Sequence, residues 1–203
     1  MITIVDYGLG NIKALQNVYH QLNVSCSVAC DAESLQNATK LILPGVGSFD
    51  YAMSSLNKSG MREMLDDLVL IKNTPVLGIC VGMQMLANSS EEGKFDGLGY
   101  VEGSVKRFCK EQLANYPLPH MGWNAVQQIG EDHLFNNIPN GMKFYFLHSY
   151  YFDCATESQK IASANYGINF TCGVKNKNVY GVQFHPEKSH EAGIHLLENF
   201  GSI

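Results

Sequence analysis

The sequence predicts an α/β fold: a mostly parallel central sheet flanked by helices, with additional antiparallel strands. Three observations carry this. Between residues 2 and 90, apolar runs of strand length alternate with amphipathic runs of helix length, the pattern of a parallel sheet covered on both faces. From residue 100 onward, short β-like segments are separated by turns. The chain then closes on one more amphipathic stretch.

The elements follow in order. ITIVDY (2–7) is an apolar, β-branched run that stops at GLGN. NIKALQNVYHQL (11–22) places Ile12, Leu15, Val18, Tyr19 and Leu22 at helical spacing. CSVA is a candidate second strand, and KLILPG (40–45) is a continuous apolar strand cut off by Pro44 and Gly45. MREMLDDLVLIK (61–72) reads as one amphipathic helix, TPVLGIC (74–80) as a buried strand, and GMQMLANSS as the helix after it. Beyond these, YVEGSVKRF, NAVQQI, MKFYFLHSYYF, KIASANY, FTCGVKN and VYGVQFHPE are expected as strands, and HEAGIHLLENF (190–200) as the last helix. No repeat or Pro/Gly/Ser-rich linker divides the chain, so residues 1–203 are expected to form one domain.

With 45% hydrophobic and 16% charged residues, the balance is that of an ordinary soluble globular protein. A net charge of -5 gives no basic footprint for nucleic acid or for an anionic membrane surface. No run approaches the ~18 apolar residues of a membrane span, and the opening MITIVDYGLGN has no export-signal pattern. The six cysteines show neither a CxxC pair nor zinc spacing. They are expected to be reduced thiols in a cytoplasmic protein, with at most one of them reactive.

In open α/β sheets, ligands bind beyond the carboxyl ends of the strands. DYGLGN, LPGVGSF, GICVGMQ and QFHPEKS all fall at such ends. GICVG has the G-x-nucleophile-x-G spacing of a nucleophile elbow, with Cys80 at its centre. A helix N-terminus behind a sulfur favours thiolate, the species that attacks. A thiolate needs a proton carrier, and His185, followed by Pro186 and Glu187, ends a strand run. If the segment is extended, Glu187 falls on the same side as His185 and can orient the imidazole. The Gly-rich turn LPGVGSF, with the N–H of Val81, is either an oxyanion hole or a plain β-turn. It lacks the spacing of a phosphate loop. Trp123 reads equally as an interface anchor or as core packing, Tyr145 as an anchor or a strand-face residue, and Lys188 as a solvated charge.

Taken together, GICVGMQ (78–84), HPE (185–187) and PGVG (44–47), in that chain order of Cys, His and Glu, resemble the triad (class I) glutamine amidotransferases over essentially the whole length. That resemblance implies a flavodoxin-like core and hydrolysis of L-glutamine to glutamate and ammonia, with no cofactor and no metal. It makes Cys80 the nucleophile, His185 the acid/base and Glu187 its orienter. Val46 and Gly47 become an oxyanion strand whose peptide has to flip, and Gln84, Ser149 and Tyr150 the holders of glutamine. DYGLGN, PGVGSF, PHMGWN (119–124), FYFLHSY (144–150) and HPEKS are similar to one branch of the family. In that branch the ammonia passes to a separate (β/α)8-barrel cyclase of histidine biosynthesis, bound as a heterodimer. Asn11, Trp123, Tyr145 and Lys188 would then lie at the cyclase-facing mouth. HSYYFDCATES and the insert-like CKEQLANYPL (109–118) are not strong family markers. A paralogous glutaminase supplying a sugar-amination enzyme is the alternative, and a catalytically idle binding module or a cysteine peptidase fits the residues less well.

Overall fold

The computed structural model describes residues 1–113 and 116–203; positions 114 and 115, inside CKEQLANYPL, lie outside the described residues. The first half runs β1 (Ile2–Val5), α1 (Ile12–Gln21), β2 (Cys26–Ala29), α2 (Ala32–Leu35), β3 (Leu41–Gly45), α3 (Phe49–Lys58), α4 (Arg62–Asp66), β4 (Val76–Cys80) and α5 (Val81–Met85). Then come β5 (Ser89–Ser90), β6 (Gly103–Arg107), α6 (Lys110–Leu113), β7 (His120–Ala125), β8 (Gln127–Gln128) and β9 (Lys143–His148). The chain ends with β10 (Tyr150–Cys154), β11 (Lys160–Tyr166), β12 (Ile168–Asn176), β13 (Val179–Val182) and α7 (His190–Ser202).

The main sheet has the order β2-β1-β3-β4-β13-β12-β10-β6-β5, with β11 and β8 attached beside β12. From β2 to β13 the pairing is parallel. β12 pairs antiparallel with β13, and β10 antiparallel with both β12 and β6. β1, β3, β4 and β13 are buried at every residue, which is why each reads as an unbroken apolar run rather than an alternating one. β7 and β9 form a separate antiparallel ribbon.

The helices close the faces. α1 buries Leu15 and Tyr19, and the Tyr19 hydroxyl donates to the Leu197 carbonyl of α7 at 3.1 Å. α3 buries Phe49, Ala52, Met53 and Leu56, an i, i+3, i+4, i+7 stripe. Each of the large side chains in that stripe stabilises the fold by about 2 kcal/mol.

NAVQQI, expected as one strand, is divided between β7 and β8, and α2, α6 and most of β7 have no counterpart in the sequence expectation; four further departures have a visible physical reason. α3 lies where only a turn is expected, because the glycines of LPGVGSF hide the apolar stripe that starts at Phe49. The 61–72 helix leaves α geometry at Asp67, where the Lys72 N–H reaches back to the Asp67 carbonyl in a π turn. GMQMLANSS stops as a helix at Met85, since Ser89 and Ser90 pair with β6. MKFYFLHSYYF is two strands: β9 pairs with β7, β10 pairs with β6 and β12, and the chain changes sheets at Ser149.

Where β3, β4 and α5 meet, there is no room for side chains. A Cβ on Gly82 would stand 1.9 Å from the Leu43 carbonyl oxygen, one on Gly45 2.4 Å from the Gly82 nitrogen, and one on Gly78 2.7 Å from the Gly82 oxygen. Among the described residues no helix is long and apolar enough to cross a membrane. Gly82→Ala is expected to cost about 3 kcal/mol by forcing α5 off the sheet; a chemical-denaturation midpoint equal to that of the unaltered chain would contradict this.

Candidate active site

Cys80 ends β4 and stands at the N-cap of α5 with φ 56 and ψ -113. A non-glycine residue rarely occupies that region, and holding it there costs of order 1–3 kcal/mol. The crossing glycines make it attainable: the chain turns from strand to helix without collision, and the side chain is pushed to the sheet's carboxyl edge. The sulfur lies 3.9 Å from both the Leu147 carbonyl and Gln183 Nε2.

His185 follows β13, the parallel neighbour of β4, so sheet order alone brings it to the edge that carries Cys80. Its backbone is pinned by its N–H to the Tyr145 carbonyl (2.8 Å) and by its carbonyl to the Ser189 hydroxyl (2.6 Å). Ser189 Oγ in turn accepts from the Tyr145 N–H at 3.0 Å. His185 Nδ1 meets Glu187 Oε1 at 2.9 Å, with both side chains almost fully buried. The route differs from the expected extended pair. Pro186 begins a 3-10 turn, Pro186–Lys188, because its fixed φ suits the first helical position, and Glu187 folds back to the ring from that turn.

Asn11 has a role with no indication in the sequence. Its Nδ2 donates to Glu187 Oε1 at 2.7 Å, so it holds that carboxylate as well as lining the cavity. Two more residues of DYGLGN serve this edge. The Tyr7 hydroxyl donates to the Pro44 carbonyl at 2.7 Å, and a Cβ on Gly10 would come within 2.6 Å of Pro44.

Burial by itself would lower the basicity of His185. Its contacts with the Cys80 sulfur and the Glu187 carboxylate outweigh burial and raise its pKa to about 10. Burial would raise the Glu187 pKa, but the bonds from His185 and Asn11 hold it below the usual carboxylate range. At neutral pH the site therefore holds an imidazolium against a carboxylate. Of the other cysteines, Cys154 and Cys172 are buried thiols pushed up by desolvation, Cys26 is half-buried, and Cys30 and Cys109 are exposed.

Cys80 and His185 open onto a cavity of about 410 Å³, within the size range of small-molecule sites. Val46, Gly47 and Val81 line it, as do Gln84, Ser149 and Tyr150, and Asn11 and Lys188. Gly47 sits at φ +90, which an L side chain would resist. Trp123 and Tyr145 are not part of this lining. They face each other across the β7–β9 ribbon, rings 6.1 Å apart, with Lys188 Nζ 5.8 Å over Tyr145. Trp123 is 46% exposed and stacked on His190, which decides against core packing; Tyr145 is half-buried.

Sequence reading does not reach Glu92, Arg107 and Gln183. Glu92 lines the cavity and accepts from the Phe49 N–H at 2.8 Å; Arg107 also lines it. Both are charges at loop or strand ends with no sequence pattern to mark them. Gln183 does leave a signal, as a polar residue inside the apolar run VYGVQF; it is fully buried.

The family model "Glutamine amidotransferase class-I" matches residues 3–202. The chain is 56% identical, over the full length of both, to "Imidazole glycerol phosphate synthase subunit HisH" of Bdellovibrio bacteriovorus, and 50% identical, again over both full lengths, to the protein of that name from Leptospira interrogans. "Imidazole glycerol phosphate synthase subunit HisH 2" of Pseudomonas aeruginosa is 43% identical over 98% of each chain. Among solved structures, a glutamine amidotransferase superposes with a TM-score of 0.74 at 18% identity, over 98% of each chain. PurLQS of Thermotoga maritima superposes with a TM-score of 0.72 at 17% identity, over 98% of this chain and 96% of that one. Both share the fold.

Because folding raises the His185 pKa above its ordinary 6.5, the contact is fully stabilising below about pH 6.5 and is lost as pH rises through about 10. The Glu187 contribution has the opposite sense, present above the ordinary carboxylate pKa and lost as pH falls through the lowered one. In a histidine NMR titration, His185 should stay protonated through neutral pH and Glu187→Gln should move its titration downward. A titration near 6.5 in both chains would show that the carboxylate does not set the charge.

Proposed function

The chain belongs to the class-I glutamine amidotransferases, and we propose that residues 1–203 form a single domain, the glutaminase subunit of imidazole glycerol phosphate synthase in histidine biosynthesis. One observation supports this above the others: a sulfur on a strained strand–helix elbow shares a cavity with an imidazole that meets a buried carboxylate at 2.9 Å.

L-Glutamine enters the cavity with its side-chain amide at Cys80. The sulfur adds to the amide carbon while backbone N–H groups of Val46, Gly47 and Val81 take the developing oxyanion. His185 gives its proton to the departing nitrogen, so ammonia leaves and a γ-glutamyl thioester remains. The imidazole, now neutral, takes a proton from water as that water attacks the thioester. Glutamate departs and the sulfur is restored. Glu187 stabilises the imidazolium at both ends of the cycle, and Asn11 holds Glu187. Gln84, Ser149 and Tyr150 bind the amino-acid end of glutamine, with Glu92 a partner for its ammonium.

Relatives matched along the whole chain are named as subunits of a synthase, and this chain works with a second subunit. We assign that partner as a (β/α)8-barrel cyclase that consumes the ammonia. Trp123, exposed on the ribbon beside Tyr145, whose ring Lys188 covers, suits an interface anchor. Neutral ammonia crosses such a packed interface without meeting bulk water.

Cys80→Ala should lower glutamine hydrolysis roughly a thousandfold or more while leaving co-purification with the cyclase intact. The unaltered gene should restore growth of a histidine auxotroph that carries a compatible cyclase. Hydrolysis that survives in Cys80→Ala would remove the proposed nucleophile; failure of growth with hydrolysis intact would favour a glutaminase serving another acceptor.

A further inference from the structure

Two motifs, PHMGWN and FLHSY, each carry a histidine that the triad does not use. His120 on β7 pairs directly with His148 on β9, and both are buried. His120 Nδ1 lies 2.9 Å from His148 Nε2. The outer nitrogens are occupied too: His148 Nδ1 is 2.7 Å from the Tyr150 carbonyl oxygen, and His120 Nε2 is 3.2 Å from Asn124 Nδ2.

These contacts determine every proton. A carbonyl only accepts, so His148 carries its hydrogen on Nδ1, and in the neutral ring its Nε2 accepts. His120 must then donate from Nδ1 and accept at Nε2. Asn124 is oriented to supply that hydrogen: its Oδ1 accepts from the Ala125 N–H and its Nδ2 also donates to the Asn165 carbonyl, both at 2.8 Å. The bonds thus run one way, from Asn124 through His120 and His148 to Tyr150. An added proton would set two donors face to face. Aromatic rings pack around the pair, with Phe146 and Tyr166 stacked on His120 and Phe108 and Phe170 beside His148. Burial accordingly pushes His120 down to about 4 and His148 to about 3, and both stay neutral.

His148 itself lines the cavity, and the chain of bonds ends there. The Tyr150 carbonyl also accepts from Gln84 Nε2 at 3.1 Å, and the same Nε2 donates to Gln183 Oε1 at 3.0 Å. Both amide hydrogens of Gln84 are therefore used inside the protein. Its Oε1 is the polar atom left for a ligand, and Gln84 lines the cavity. Tyr150 is the first residue after the chain changes sheets at Ser149, where its carbonyl needs donors from side chains.

We propose that His148 is a positioning residue for glutamine binding: held in one neutral tautomer by His120 and Asn124, it shares the Tyr150 carbonyl with Gln84 and so fixes Gln84 with Oε1 turned into the cavity as an acceptor for the substrate ammonium. This rests on the reading that Gln84 binds glutamine.

The test is glutamine hydrolysis by the chain with its partner subunit in three variants. His148→Phe keeps a ring but loses the donor, and should raise KM for glutamine about three- to tenfold, the worth of one neutral hydrogen bond, with kcat within about twofold. His148→Asn restores a donor near Nδ1 and should recover most of the loss. Gln84→Ala should raise KM by at least as much. A raised KM in Gln84→Ala with none in His148→Phe overturns the positioning role alone; no change in Gln84→Ala overturns the glutamine-binding reading. A loss in His148→Phe that His148→Asn does not recover also counts against the role. If His148→Phe does not fold, nitrogen-15 NMR of the unaltered chain decides. From pH 5 to 8, both imidazoles should remain neutral with the hydrogen on Nδ1. Titration of either ring in that range, or an Nε2–H tautomer at either, would overturn the relay.

Discussion

The structure depends on one steric constraint: three backbones cross with no Cβ between them. Gly45 at the end of β3, Gly78 in β4 and Gly82 in α5 approach within distances that only glycine tolerates. This crossing lets β4 turn directly into α5 and holds Cys80 in a conformation that its side chain disfavours. The strain is borne by the packed sheet, since β3 and β4 are buried at every residue and paired in register up to Gly45 and Cys80. A looser junction would let Cys80 relax and withdraw its sulfur from the cavity.

The same edge collects the rest of the chemistry through sheet order rather than through any neighbouring sequence. β13 inserts beside β4, so a histidine more than half the chain away arrives next to the sulfur. The turn after it is clamped from three directions: by β9 through Tyr145 and Ser189, by Asn11 on Glu187, and by α7, where a Cβ on Gly193 would stand 1.8 Å from the Pro186 carbonyl. Charge is matched to this rigidity. A buried imidazolium is tolerated because its carboxylate is equally buried and is itself hydrogen-bonded.

What is legible in the sequence follows from what is local. β1, β3 and β4 are readable because strands buried on both faces are apolar throughout, and α1 and α7 because their buried residues recur at helical spacing. Cys80 is readable because the elbow needs glycines at fixed offsets, and His185 because a His-Pro-Glu at a strand end is an uncommon pattern. α3 is hidden by the turn signal before it. The division at Ser149 is hidden because both strands it separates are apolar and aromatic. Glu92 and Arg107 reach the cavity only through sheet order and loop packing, which leave no trace in their own neighbours. The bond from Asn11 to Glu187 spans nearly the whole chain and has no local signature.

Everything in the proposed chemistry follows from attack of the elbow sulfur on the glutamine amide. The most direct measurement is acid quench of the complex during turnover, followed by mass spectrometry of its peptides. A γ-glutamyl adduct on the peptide that contains Cys80, present with glutamine and absent without it, is the predicted result. Glutamate formation with the adduct on another cysteine, or with no adduct under conditions that preserve thioesters, would contradict it.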